Sequence, residues 1–426
     1  MNSNSKPTSR RFPTTFWVLI LATFIDRLGG FILFPVFSVY VIDHFGVGIT
    51  EVGLLFSIFS AGHIFGGMVG GALADKYGRR VITLIGLVAS GMGSIFMGLV
   101  NELYLFYLIA AVLGTIGNFG GPARQAMVAD LLPGEKQPEG FGMLRVAVNL
   151  SATIGPILSS FIAVFSFMLL FILDAISSLI TAFIVFIVIP ETKPQRLENE
   201  PEETVMKSFV GYKDVLKDGV YILFLSVSTL TVLVYMQLNT TLSAFLWEVH
   251  GFPIYGFPSF GWLLSLNALM VVVFQFWITK IFSKFSPMKV IALGTFFYMI
   301  GFGMYGFISE TYMFFIAMAI LTVGEMIAMP VGQTAAAAFA PEDKRGRYLA
   351  VYGFHWAIPS LFGVLLAANI WENLGPNWVW YFAGILSFIA MLGFWFLNDI
   401  TNKRLSKKTE SFTEELQDLD QKVIIE

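Results

Sequence analysis

The 426-residue chain contains no cysteine. Disulfides, thiolate metal centres and cysteine nucleophiles are therefore excluded. Histidine is almost as scarce: His44, His63, His250 and His355 make up the set, and none is paired at metal-ligand spacing. No Gly-rich phosphate loop ending in Gly-Lys-Ser or Gly-Lys-Thr occurs, which argues against ATP-driven work. Ser, His and Asp form no recognisable nucleophile arrangement. No basic, aromatic-interleaved face points to nucleic acid. No cofactor and no metal are expected. Charge is short as well: 13% of residues are charged, against about 25% in soluble domains.

What the chain does have is apolar length. It is 56% hydrophobic, with 44 Phe and a mean hydropathy of +0.74. Apolar runs of roughly 20 to 30 residues recur, each long enough to cross a bilayer core of about 30 Å. Spans are expected near 14–42, 50–74, 81–100, 104–131, 139–163, 167–189, 218–247, 258–282, 289–308, 312–338, 347–370 and 377–398. The fold class is thus all-α integral membrane with twelve transmembrane helices. The segment before the first run, Met1 to Pro13, is polar, and that run is too long for a signal-peptide core, so an uncleaved first span is expected.

The basic residues orient the spans. One set of loops and both termini carry Lys6, Arg10, Arg11, Lys76, Arg79, Arg80, Lys136, the Lys-rich stretch 193–217, Lys280, Lys284, Lys289 and Lys344 to Arg347. The opposite loops carry no Lys or Arg. This asymmetry places both termini in the cytoplasm. A plasma (inner) membrane of a prokaryote is the expected location. An offset of 208 residues carries Lys76 onto Lys284, Gly86 onto Gly294, Pro122 onto Pro330 and Gln125 onto Gln333. Two pseudo-symmetric six-helix halves are therefore expected. The division runs 1–189, a cytoplasmic linker at 190–217, 218–398 and a cytoplasmic tail at 399–426.

Between spans 2 and 3 lies Gly70-Gly71-Ala72-Leu73-Ala74-Asp75-Lys76-Tyr77-Gly78-Arg79-Arg80. Gly66, Gly67, Gly70 and Gly71 mark a helix that lets a neighbour approach closely. The stretch resembles the loop signature of the major facilitator superfamily, with Lys76 in place of the usual Arg. The resemblance implies a secondary transporter working by alternating access, with small-molecule substrates and protons as partners, acting as a monomer in the bilayer. Asp75, Arg79 and Asp130 match the places of the superfamily's cytoplasmic gate network. Arg80, Arg124 and Arg145 are expected to join that charge cluster. Span 5 holds Asn149 to Pro156, which resembles the antiporter signature of drug:proton exporters, with Ser151 for the first Gly. Gly155-Pro156 is expected to kink or thin that helix. Gly71 and Gly78 are the other expected packing positions. Phe119 to Gln125 looks like the multidrug-exporter branch.

Charges inside the bilayer are costly unless paired or wet, so each is a functional candidate. Asp26 and Arg27 stand together near the middle of span 1. Asp26 is a candidate proton site, and Arg27 a candidate for holding an anionic group or tuning Asp26; a plain ion pair between spans is the alternative. Glu325 in span 10, beside Gly324, is the second proton candidate, since a carboxyl away from water can change protonation near neutral pH. Asp174 in span 6 is the third, with a helix-packing hydrogen bond as its simpler role. Spans 1, 4, 7 and 10 usually line the cavity in the superfamily. Here they offer Phe31, Phe34, Phe37, Asn118, Phe119, Tyr235, Gln237 and Asn239. Such aromatic walls suit amphipathic ligands. Proton-coupled efflux of small amphipathic compounds is the expectation. A uniporter or symporter of a sugar, organic acid or lipid-like metabolite is the alternative, and a membrane scaffold the third reading.

Overall fold

The computed structural model describes residues 12–133, 136–163, 165–192, 215–253, 259–339, 348 and 351–425, without the side chains of Asp75, residues 137, 138, 333, 337 and 338, and residues 404–425. The described residues form helices and no strand. In order these are α1 (Thr14–Phe45), α2 (Ile49–Tyr77), α3 (Arg79–Leu99), α4 (Leu103–Gly117), α5 (Gly120–Leu131), α6 (Gln137–Ile162) and α7 (Phe167–Val188). Then come α8 (Gly219–Glu248), α9 (Phe260–Phe282), α10 (Pro287–Met304), α11 (Thr311–Phe339), α12 (Phe354–Leu374) and α13 (Pro376–Ile425). Together they supply twelve crossings, α4 and α5 sharing one. A helix satisfies every backbone polar group within its own segment, which is why a bilayer admits it.

Span 4 departs from the single helix expected over 104–131. It breaks at Asn118 and Phe119, between Gly117 and Gly120-Gly121-Pro122. Glycines there weaken the helix, and Pro122 cannot donate to the ladder. The last span runs on through the polar tail to Ile425. The helix of the eleventh crossing is described from Phe354 on; Tyr348, Val351 and Tyr352 before it are helical as well, and residues 340–347, 349 and 350 lie outside the described residues. Most of the expected linker, 193–214, lies outside the described residues.

The chain forms two compact units, one from Met1–Glu200 with Asn239–Val272, the other from Pro201–Leu238 with Val273–Glu426. In the first unit α1 packs on α6 and α7, α2 on α4 and α5, and α3 on α4, α5 and α7. Its close contacts are made by glycine. Gly62, Gly66 and Gly70 stand one turn apart along α2. A Cβ on Gly66 would lie 2.0 Å from the Thr115 carbonyl oxygen, and one on Gly70 would lie 2.5 Å from the Phe119 Cα. Gly114 answers from α4, where a Cβ would meet the Phe59 carbonyl oxygen at 2.4 Å. Backbone therefore touches backbone along this seam. Gly71, expected to do this work, has only ordinary contact with Pro122 at 3.7 Å, because it faces away from the seam.

In the second unit α10 packs on α11 and α13, and α12 on α13. The 208-residue offset reappears here as a contact. Gly86 of α3 abuts Gly120, and Gly294 of α10 abuts Ala328. Each pair is the other shifted by the repeat. A buried aromatic cluster of Tyr221, Phe224, Phe339 and Phe394 holds one end of this unit.

Candidate functional site

Asp26 sits near the middle of α1, where its carboxylate is held on both oxygens. Arg124 of α5 donates to Oδ2 at 2.5 Å, and Ser178 of α7 donates to Oδ1 at 3.1 Å. Both partners of the ion pair are only 11% exposed, so the pair works in a low-dielectric setting where losing either partner is expensive. Arg124 was expected in the cluster with Arg79; the structure places it on Asp26 instead. An arginine in the first half of α5 reaches more easily up to α1 than down to the end of its own helix.

Neighbouring contacts hold this site in place. Ser151, fully buried, donates to the Phe24 carbonyl at 2.9 Å, tying α6 to α1. Thr181 donates to the Ala22 carbonyl at 3.1 Å, tying α7 to α1. Gly155 lets α6 lie on Phe31, where a Cβ would be 2.5 Å from the Phe31 side chain. The Pro156 carbonyl faces Gly261 of α9, which leaves no room for a Cβ either, at 2.4 Å.

Asp174 lies one turn before Ser178 on α7, on the same face of the helix as the serine that donates to Asp26. Asp174 lies within electrostatic reach of Asp26, and Ser94, which donates to the Phe171 carbonyl at 3.2 Å, stands near it. Among the described residues no cation pairs with it. Gly29 makes the approach possible, since a Cβ there would collide with the Ser177 hydroxyl.

Arg27 points elsewhere, as adjacent helical residues must. Its side chain is exposed and has no hydrogen bond or ion pair among the described residues. Its charged neighbours are Asp26 and Arg124, and His63 of α2 feels its charge. His63 is held by Asn118, whose side-chain nitrogen donates to the His63 carbonyl at 2.8 Å and lies 3.1 Å from the ring Nδ1. The glycine seam between α2 and α4 brings these two residues together. His63 was missed at the sequence level except as one of four scattered histidines. Its signal was position: the midpoint of α2, four residues before Gly67.

The expected gate residues gather at the α2–α3 turn. Arg79 pairs with Asp130 of α5, and Arg80 donates to the Phe186 carbonyl of α7. Gly78 turns the chain with φ at 107°. Glu191, not expected here, completes the cluster: its carboxylate accepts the backbone N–H of Arg79 at 2.8 Å and of Arg80 at 3.2 Å. A carboxylate there offsets the positive end of α3. The Asp75 side chain lies outside the described residues. Arg145 is exposed and bonds to none of the described residues.

The second unit holds one carboxylate at comparable depth. Glu325 of α11 accepts a hydrogen bond from the Tyr235 hydroxyl of α8 at 3.2 Å. The Tyr235 ring stacks on Tyr298 at 6.2 Å and meets Trp356 edge-on at 5.9 Å. Tyr298 is fully buried, and its hydroxyl has no hydrogen-bond partner among the described residues. Gly324 and Gly294 allow α10 and α11 to touch beside Glu325.

The other expected cavity residues divide. Phe34 and Phe37 pack on Phe56, and Phe37 also on Phe106 and Phe171. Phe119 packs against Ala74, Ile82 and Ala123, so its task is helix packing. Gln237 is buried and donates to the Gly363 carbonyl at 3.1 Å, joining α8 to α12. It borders an apolar cavity of about 290 Å³ lined by Leu233, Leu366, Ile370, Phe382 and Leu386 among others. Asn239 is half-buried.

A family model of the Major Facilitator Superfamily matches residues 19–311 and, overlapping them, 255–424. The chain belongs to the major facilitator superfamily. It is a multi-pass membrane transporter, not an enzyme. Among its relatives is a protein of Planococcus maritimus named Na(+), Li(+), K(+)/H(+) antiporter, 26% identical over 89% of this chain and 94% of the relative. Another is the multidrug resistance protein MdtH of Salmonella typhimurium, 23% identical over 91% and 96%. Solved structures share the fold: a nucleoside transporter, NupG, at a TM-score of 0.78 and 12% identity over 90% of this chain and 100% of that one. The peptide transporter POT gives 0.77 at 15% over 92% and 95%.

Proposed function

We propose that this superfamily member exports small amphipathic compounds in exchange for protons, by alternating access. The Asp26–Arg124 ion pair carries the reading. Protonating Asp26 cancels its charge, releases Arg124 and loosens the tie between α1 and α5. Pairing with Arg124 and protonation exclude each other at Asp26, so paired-and-charged against parted-and-protonated is a two-state element of the kind coupled transport needs. Ser178 and Asp174 extend the site along α7, and Glu325 supplies a second carboxyl that can take a proton. The names of the Planococcus and Salmonella relatives, an antiporter and a multidrug resistance protein, agree with it. The positive loops set both termini in the cytoplasm, so Arg79, Asp130, Arg80 and Glu191 form a latch on that side. The protein works as a monomer in a prokaryotic plasma membrane.

The test is efflux of a panel of amphipathic dyes from cells making the protein, with and without an uncoupler. Uncoupler-sensitive efflux that disappears in Asp26→Asn is expected. Efflux intact in that variant would remove Asp26 from proton coupling. A second reading, an organic-acid uniporter or symporter, draws on the exposed Arg27. It predicts counterflow without any proton gradient.

A further inference from the structure

We infer that the first unit holds a subsite for the anionic group of the cargo, built on Arg27 with His63 beside it. The inference rests on the transporter reading and narrows its substrate class to amphipathic anions, carboxylates first. Asp26 is the nearest acid to Arg27, but both of its oxygens are already taken, by Arg124 and by Ser178. The charge of Asp26 is balanced by Arg124, so Arg27 is left without an ion-pair partner among the described residues. Asp174 is no remedy: among the described residues it makes no ion pair with Arg27.

An exposed, unpaired guanidinium at mid-span is costly against lipid. Its charged neighbours are Asp26 and Arg124 and His63 of α2 lies within its field, so it opens on the polar interior of the unit, where water or cargo meets it. Arginine presents a planar fork of donors that matches a carboxylate on two bonds. His63 is exposed beside it and can add a donor from its second ring nitrogen, because Asn118 already holds the backbone and Nδ1 side. Gly30 leaves open space next to Arg27, its nearest foreign atom being Asp174 Oδ1 at 4.0 Å from a built Cβ. Phe31, one turn on, supplies an apolar wall.

The experiment compares three probes of one size on the purified, full-length protein in nanodiscs: naphthoate, its neutral methyl ester and naphthyltrimethylammonium. The wild type should bind naphthoate at least about tenfold more tightly than the ester, a modest margin for a charged contact away from bulk water. Arg27→Gln should erase that ratio, and Arg27→Lys should keep part of it. His63→Gln should lower the ratio by a smaller factor. Equal binding of acid and ester, preference for the ammonium probe, absence of binding by all three, or an undiminished ratio in Arg27→Gln would overturn the inference. Proton-driven transport in liposomes is read separately. Transport that persists without acid preference sinks the subsite alone; acid preference without gradient-driven transport sinks the exporter reading alone.

Discussion

The two units share a packing device and differ in chemistry. In the first, Gly86 of α3 rests on Gly120; in the second, Gly294 of α10 rests on Ala328, at the same 208-residue offset. On the helices that follow, the charges do not repeat. Glu325 stands where the first unit has Gly117, and Gly332 stands where it has Arg124. The first unit pairs its central acid with an arginine and leaves the adjacent Arg27 without an ion pair among the described residues. The second sets its carboxylate, Glu325, under a tyrosine hydroxyl, among aromatic rings. A repeated scaffold can carry one set of helix contacts while its two copies take up different chemistry, since function resides in sites placed on a fold.

That comparison can be broken in order of expected effect. Gly66→Leu should abolish accumulation of folded protein, because the side chain would have to occupy the place of the Thr115 carbonyl. Fluorescence-detected gel filtration checks this, and a monodisperse peak would show that the seam between α2 and α4 is not rigid. Arg124→Gln should cost about 3–5 kcal/mol, by leaving a buried carboxylate uncompensated. The double variant with Asp26→Asn should recover most of that, as read by thermal unfolding in detergent. No recovery would mean the pair is not an isolated tie. In the second unit Tyr235→Phe removes one hydrogen bond from Glu325 and should cost only about 1 kcal/mol; a loss as large as that of Arg124→Gln would erase the contrast between the units. Gly71→Ala should change stability by less than about 0.5 kcal/mol, since its neighbour already lies at ordinary contact distance.

Much of the fold was legible from the chain. Twelve crossings follow from hydropathy and length alone, because a bilayer demands them. The glycines before Asp75 foretold a close helix contact, although the weight falls on Gly66 and Gly70 rather than Gly71: spacing along α2 gives the stripe, while rotation about its axis decides which member faces the neighbour. Arg79 with Asp130 was readable through the superfamily signature. Arg124 on Asp26 was not. The two lie 98 positions apart, and nothing local records which way each helix turns its side chains. His63 escaped for the same reason. Its place beside Arg27 exists only once the α2–α4 seam has closed. Phe119 looked like a cavity residue because it stood on an expected cavity-lining span, yet it packs against Ala74 and Ile82 of neighbouring helices; Gln237 both borders a cavity and ties α8 to α12.

The central claim is that a proton on Asp26 is what trades against cargo. Liposomes containing the protein, acid inside, test it most directly by comparing gradient-driven accumulation with gradient-free exchange in wild type and Asp26→Asn. The account predicts that the variant loses accumulation and keeps exchange. An Asp26→Asn protein that still accumulates cargo against its gradient would contradict it.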